Sequence, residues 1–106
     1  MELSKVVLVT GADRGIGLAI ALKMASQGHS LILHGLADQV QRQSLLQQMR
    51  AAGARDALYL TADLRDGDAI GALIAEALAW QGRVDVLINN AGMQYTAPVT
   101  TMPPGM

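Results

Sequence analysis

The residues of this chain best suited to bind a ligand are the glycines that follow its first apolar run. The run from Val6 to Thr10 leads into the sequence Gly11-Ala12-Asp13-Arg14-Gly15-Ile16-Gly17. Bare backbone N–H groups in such a loop, next to the positive end of a helix, can bind a phosphate group. The G-x-x-x-G-x-G spacing therefore indicates a phosphate-binding turn, with an ordinary glycine-rich turn as the alternative.

Each glycine of this loop has an expected role. Gly11 allows the chain to turn sharply out of the strand, and Gly15 leaves room for a pyrophosphate or a ribose. Gly17 allows the following helix to pack close to the sheet. The position of the loop between a strand and a helix favours binding over a simple turn.

The elements that must position this loop are short apolar runs separated by segments with helical spacing. The runs predict four strands: Val6 to Thr10, Leu31 to His34, Ala57 to Thr61 and Val84 to Asn89. Because they are continuously apolar, they suit a parallel sheet that is buried on both faces. The βαβαβαβ order predicts an α/β, Rossmann-like half with helices on both faces and strand order 3-2-1-4.

Apolar spacing also predicts the buried face of each of the three helices. The first helix is expected to bury Ile16, Ala19, Ile20 and Met24; the second, from about Asp38 to Ala52, to bury Leu45, Leu46 and Met49; and the third to bury Ile70, Leu73, Ile74, Ala77 and Leu78. Asp66 or Asp68 is suited to cap the third helix. The helices are expected to end at Gly28, Gly53 and Gly82.

Composition and charge limit the class of protein. With 106 residues, of which 51% are hydrophobic, residues 1–106 are expected to form one small domain. The net charge of −1, without a run of like charges, argues against nucleic acid or an anionic membrane as the main partner.

Metal and membrane sites are not indicated by the sequence. The chain has no cysteine, and His29 and His34 are isolated, so no metal site is expected. The apolar runs are too short to span a bilayer, and no signal peptide precedes the first strand. We therefore expect a cytoplasmic protein.

Three motifs, in order and after the appropriate strands, resemble those of the short-chain dehydrogenase/reductase family. They are Thr10-Gly-x-x-x-Gly-Ile-Gly17, Asp63-Leu64 and Asn89-Asn90-Ala91-Gly92. The resemblance covers nearly the whole chain, whereas the family domain is more than twice as long. It implies an oxidoreductase that binds NAD or NADP.

The resemblance also implies which residues contact the cofactor. Gly11, Gly15, Ile16 and Gly17 are expected at the pyrophosphate and its neighbouring ribose. Asp13 and Arg14 of the same loop are also expected to contact the cofactor. Those expected at the adenosine ribose are Gly35 and Leu36, those at the adenine are Asp63 and Leu64, and those at the nicotinamide ribose are Asn90, Ala91 and Gly92.

The choice between NAD and NADP depends on charge near the adenosine ribose. An acidic residue at the end of the second strand would hold the ribose diol and repel a 2′-phosphate. This chain has Gly35 and Leu36 there, with Asp38 slightly later. Arg14 could pair with a 2′-phosphate, or it could be a solvated loop charge. The resemblance described next favours NAD, with NADP as the alternative.

Within the family, two segments resemble the 3-hydroxybutyrate dehydrogenases, which use NAD. They are Leu31-Ile-Leu-His-Gly-Leu-Ala-Asp38 and Asn89-Asn-Ala-Gly-Met-Gln-Tyr-Thr-Ala97. Gln94 matches a glutamine that helps to hold the carboxylate of the hydroxy-acid or keto-acid substrate. Tyr95 stands where those enzymes usually have a histidine. The alternative for Gln94 is a solvent-facing loop residue.

The resemblance implies chemistry by a serine on a fifth strand and by a Tyr-x-x-x-Lys pair on a later helix. These 106 residues contain neither that strand nor such a pair. Tyr59 and Tyr95 are followed four positions later by Asp63 and Val99. We therefore name no catalytic residue and expect the chain by itself to be inactive. The alternatives are a non-catalytic nucleotide-binding or interaction module, or a decayed fragment without ligand function. A fourth strand without a fifth would be an open edge, which predicts a homo-oligomer.

Overall fold

The fold is known from a computed structural model that describes residues 4–90. Strands and helices alternate in the order β1 (Val6–Val9), α1 (Gly15–Ser26), β2 (Ser30–Gly35), α2 (Gln39–Ala52), β3 (Asp56–Thr61), α3 (Gly67–Gln81) and β4 (Val86–Ile88). All strand pairs are parallel, and the strand order is β3-β2-β1-β4. The predicted fold class and strand order are confirmed.

The sheet separates two apolar clusters, and alternate residues of β1 point to each. Val7 and Val9 pack with Met49 of α2 on one face, whereas Leu8 packs with Ala77 of α3 on the other. The central strands β1 and β2 are buried throughout, as predicted. The outer strands β3 and β4 are partly exposed because, within residues 4–90, each has a single neighbouring strand.

The predicted buried face of α1 is wrong. Ile16 is 71% exposed, Ala19 is exposed, and Ile20 and Met24 are only half-buried. The buried residues of the helix are instead three small ones: Gly17, Ala21 and Ala25. Small side chains on this face allow the helix to lie close to the sheet.

The other two helices agree better with their patterns. In α2, Leu45 and Met49 are buried and Leu46 is half-buried. In α3, Leu73 and Ala77 are buried, but Ile70, Ile74 and Leu78 remain 36–45% exposed, so only part of the predicted stripe is covered by residues 4–90. No helix in these residues is long and apolar enough to cross a membrane.

The helix ends follow the predicted chemistry. Asp66, rather than Asp68, caps α3 by accepting a hydrogen bond from the Asp68 N–H, and Gly82 ends the helix in the left-handed conformation. Gly53 ends α2. In α1 the cap is Gln27, and Gly28 follows it at a φ of +83°.

At the amino ends of the strands, Asp85 joins β4 to β1. Its Oδ2 accepts hydrogen bonds from the Val6 N–H at 2.8 Å and from Arg83 Nε at 2.9 Å. Its own N–H donates to the Val6 carbonyl at 2.8 Å. The Arg83 guanidinium, and secondly the Val6 N–H, hold the pKa of Asp85 below its usual range.

We expect Asp85→Asn to be less stable than the wild type at neutral pH and to lose less stability in acid. A lowered carboxyl pKa contributes stability that is present above the unfolded value, about 3.9, and is lost as the pH falls below it. The amide keeps the shape without the charge. The difference in Tm between the two proteins should therefore shrink from about pH 7 towards about pH 2.5.

Thermal unfolding followed by circular dichroism measures this difference. Asp63 also has a lowered pKa, of about 2, but it titrates in both proteins and cancels in the comparison. A difference in Tm that stays constant across the range would show that Asp85 does not carry this pH dependence.

Candidate functional site

A cavity of about 510 Å³ lies at the carboxyl ends of β1, β2 and β3. Ligands of open α/β sheets bind at this end, beyond the strands. The cavity brings together these residues expected at a cofactor: Gly11, Asp13, Arg14, Gly35, Leu36, Asp63, Leu64 and Asn90. His34, Ala62 and Arg65 complete the lining.

The remaining expected residues fall in two groups. Gly15, Ile16 and Gly17 form the first turn of α1 and are not part of the cavity lining. Ala91, Gly92 and Gln94 lie outside the described residues.

The glycine loop has the backbone geometry that its sequence predicts. Gly11 and Gly15 both have a φ of +62°, which disfavours residues with a Cβ atom. A Cβ on Gly15 would meet no other atom within 4 Å, so the space beside it is open. A Cβ on Gly17 would overlap the Gly11 carbonyl and the Asn90 side chain. Gly17 therefore permits the close contact between α1 and the loop.

The start of α1 differs from that of the other helices. Asp38 and Asp66 cap α2 and α3 with their carboxylates. Arg14 precedes α1 without a side-chain cap, and the first turn contains no acidic residue. The first N–H groups of a helix have no partner within it, and they carry partial positive charge. The start of α1 is therefore suited to bind an anionic group.

Thr10 connects the end of β1 to the segment after β4. Its hydroxyl accepts a hydrogen bond from the Asn90 N–H at 2.8 Å and donates to Asn89 Oδ1 at 3.1 Å. Asn90 Nδ2 donates in turn to the Gly11 carbonyl at 3.3 Å. These bonds hold Asn90 against the glycine loop at the edge of the cavity.

His34 connects the glycine loop to the segment after β3. Its Nδ1 accepts a hydrogen bond from the Gly11 N–H at 3.2 Å, and its Nε2 lies 2.7 Å from the Ala62 carbonyl. Because the Ala62 carbonyl can only accept and the Gly11 N–H can only donate, this pattern fits the tautomer with its proton on Nε2. The ring is 3% exposed. Sequence reasoning missed this role, since the partners are 23 and 28 positions away.

Asp13 of the glycine loop reaches the end of β2. Its Oδ1 accepts a hydrogen bond from the Tyr59 hydroxyl at 2.9 Å, and its Oδ2 accepts one from the Leu36 N–H at 3.2 Å. The Tyr59 oxygen accepts from the Ala37 N–H at 3.1 Å. A Cβ on Gly35 would overlap both the Asp13 carboxylate and the Tyr59 hydroxyl. The absence of that atom makes the arrangement possible.

Burial raises the pKa of Tyr59 to about 12, against the lowering effect of the Ala37 N–H. The hydrogen bond to Asp13 raises this pKa further. Tyr59 therefore remains a neutral phenol at physiological pH and can donate to the carboxylate. Sequence reasoning did not identify Tyr59 as part of the site.

Asp63 lies at the rim of the cavity and pairs with Arg65. The two side chains form hydrogen bonds of 3.0 and 2.8 Å, and chiefly these lower the pKa of Asp63 to about 2. The pair is solvent-exposed, so screening keeps it weak and a ligand can displace it. Asp63 is thus an ionised acceptor, and the helix cap is Asp66.

Comparison with known proteins identifies the family to which the chain is similar. The profile of the short chain dehydrogenases matches residues 5–105. The 3-oxoacyl-acyl-carrier-protein reductase FabG of Staphylococcus aureus is 36% identical over 93 residues, which are 88% of this chain. The 2-dehydro-3-deoxy-D-gluconate 5-dehydrogenase of Escherichia coli is 42% identical over 89 residues, or 84% of this chain. The chain spans 37% and 34% of the lengths of these relatives.

Two solved structures are also similar. The NADH-dependent reductase A1-R′ complexed with NAD superposes with a TM-score of 0.79 at 29% identity, covering 95% of this chain and 42% of the other. A metagenomic short-chain oxidoreductase in complex with NADP superposes with a TM-score of 0.77 at 42% identity, covering 96% and 46%.

The bridge made by His34 can be tested by its effect on stability. We expect His34→Phe to lose about 1–3 kcal/mol of the free energy of unfolding, because it removes two hydrogen bonds to partly buried backbone groups, each worth about 0.5–1.5 kcal/mol. His29→Phe is the matched control, since His29 accepts one hydrogen bond, from the exposed Lys5 N–H. Urea denaturation compares the variants. Equal losses in both would contradict the bridging role.

Proposed function

The chain belongs to the short-chain dehydrogenase family, and we propose that residues 1–106 are a single domain, the NAD(P)-binding portion of an oxidoreductase of that family. The match to this family confirms the resemblance that its three motifs indicated. The narrower resemblance to 3-hydroxybutyrate dehydrogenases and the cytoplasmic location remain predictions from the sequence.

The observation that carries this proposal is the cavity beside the uncapped start of α1. A pyrophosphate needs N–H donors and a positive potential, and the first turn of α1 offers both. The open space beside Gly15 leaves room for the pyrophosphate. The positive φ of Gly11 turns the chain sharply after β1, so the backbone does not fill that space. Dinucleotide-binding folds use the same end of the first helix.

The other cofactor groups are assigned along the cavity. Gly35 and Leu36 would contact the adenosine ribose, and Asp63 with Leu64 would contact the adenine, with the Asp63 carboxylate as acceptor for its amino group. Asn90, fixed by Thr10, would support the nicotinamide ribose together with Ala91 and Gly92. When bound, the nicotinamide would accept or supply the hydride.

The proposed cofactor is NAD, with NADP as the alternative. The two similar solved structures contain one of each. The proposed substrate class is a small hydroxy or keto acid, in which Gln94 would hold the carboxylate. Two observations support an acid: the resemblance to 3-hydroxybutyrate dehydrogenases and the name of the similar gluconate dehydrogenase.

Cofactor binding by the full chain is the direct test. We expect calorimetric titration to show one site for NADH or NADPH in the wild type. We expect Gly17→Ala to bind at least about tenfold more weakly, because its Cβ would push apart Gly11 and Asn90. The same preparation should not oxidise 3-hydroxybutyrate, since residues 1–106 contain no Tyr-x-x-x-Lys pair.

Gly71→Ala is the matched control for that substitution. It lies in α3, where an added Cβ meets nothing within 4 Å, so it should retain binding and stabilise the helix by up to about 1 kcal/mol. Circular dichroism establishes that each variant is folded. A folded wild type that binds neither dinucleotide would support the decayed-fragment alternative instead. Turnover by a preparation free of host dehydrogenase would contradict the expected inactivity.

We also propose that β4 pairs with a second copy of the chain. Within residues 4–90, β4 has β1 as its one neighbour, and α3 leaves Ile70, Ile74 and Leu78 partly exposed. An open edge with nearby apolar surface favours association. Light scattering is expected to report a dimer or a larger assembly; a monodisperse monomer at working concentration would count against it.

A further inference from the structure

We propose that Asp13, in the glycine loop, makes this site select NAD over NADP, in place of an acidic residue at the end of β2. The inference rests on the proposed dinucleotide site. It concerns which residue hydrogen-bonds to the adenosine ribose, and it places that residue in the loop before α1 rather than at the end of β2.

The first argument is the position of the carboxylate. In dinucleotide-binding folds an acidic residue after the second strand accepts hydrogen bonds from the ribose. Here that strand ends at Gly35, followed by Leu36. The Asp13 carboxylate occupies the space that a side chain at Gly35 would fill, and it accepts the Leu36 N–H at 3.2 Å. The acidic group is thus supplied to the same place from another element.

The second argument is that the carboxylate is fixed but not saturated. Tyr59 donates to Oδ1, and the Leu36 N–H donates to Oδ2. A carboxylate has about four acceptor positions on its two oxygens, so each oxygen retains one. These suit the two hydroxyl groups of a ribose diol. Asp13 also lines the cavity, so it lies beside the space that a ligand would occupy.

The third argument is the response to a 2′-phosphate. NADP replaces the 2′-hydroxyl by a group that is strongly negative and donates no hydrogen bond in its ionised form. Next to a carboxylate held in place, it meets like charge and loses the donor that Asp13 would accept. A fixed carboxylate therefore favours the diol and disfavours the phosphate.

Arg14 acts in the opposite direction in the same cavity. Its side chain is exposed and makes no cap interaction with α1, whereas Asp13 is held by two hydrogen bonds. A held group binds without the entropy loss that a mobile guanidinium suffers on ordering. Asp13 would therefore dominate the selectivity, and Arg14 would support the weaker binding of NADP.

Tyr59 is a positioning residue for Asp13. Its hydroxyl is anchored by the Ala37 N–H at 3.1 Å and donates to Asp13. Removing this hydroxyl keeps the charge of Asp13 but removes one of the two hydrogen bonds that orient its carboxylate. Tyr59→Phe should weaken NADH binding more than NADPH binding, with a smaller change in their ratio than a substitution of Asp13 itself.

The test is the ratio of the dissociation constants for NADPH and NADH, measured by titration of the full chain. The wild type is expected to bind NADH at least about tenfold more tightly, and Asp13→Asn should reduce that ratio about tenfold or more. Asp63→Asn is the matched control: it removes a carboxylate from the same cavity at the adenine end, so it should weaken both cofactors equally.

The outcomes separate this inference from the proposed function. If both cofactors bind but Asp13→Asn leaves the ratio unchanged, or if the wild type prefers NADPH, the inference is overturned and the proposed function stands. If the folded wild type binds neither cofactor, both are overturned. If Asp13→Asn does not fold, the same ratio of dissociation constants is measured for Asp13→Ser, which also removes the carboxylate.

Discussion

The shape of the candidate site depends on one buried imidazole. His34 lies at the end of β2 and holds the first residue of the glycine loop on one side and the segment after β3 on the other. Parallel strands bring their carboxyl ends to one edge, but the loops that leave them have no ladder to fix them. The ring supplies both the acceptor and the donor that two such loops require, so the cavity has defined walls.

Close packing of α1 is the second constraint on the site. The helix lies on the sheet through Gly17, Ala21 and Ala25, and the absence of a side chain at Gly17 lets it contact Gly11 and Asn90. This contact places the start of α1 against Gly11 and Asn90, which line the cavity. Gly17, Ala21 and Ala25 bury little apolar surface, but their small size permits this close packing. The partial positive charge at the start of the helix therefore lies near the cavity, where an anion could bind.

Charge at the other end of the cavity is arranged by hydrogen bonds between distant residues. Asp13 is held by Tyr59 and by the backbone of Leu36, and Gly35 leaves the room for it. Family membership predicts a dinucleotide site but does not by itself distinguish NAD from NADP, since similar structures contain each. The proposed selectivity therefore rests on this local network and not on family membership.

The sequence by itself determined the alternation of strands and helices, the strand order, the glycine loop and an aspartate cap on α3 at Asp66 or Asp68. These features depend on periodicity and turn chemistry within a few residues, which a sequence displays directly. Only the tertiary structure decided which face of α1 is buried, what His34 bridges, and that Asp13 meets Tyr59 across 46 positions. Those outcomes depend on how closely a helix can approach the sheet and on which loops the strand ends bring together, and local patterns do not encode either distance.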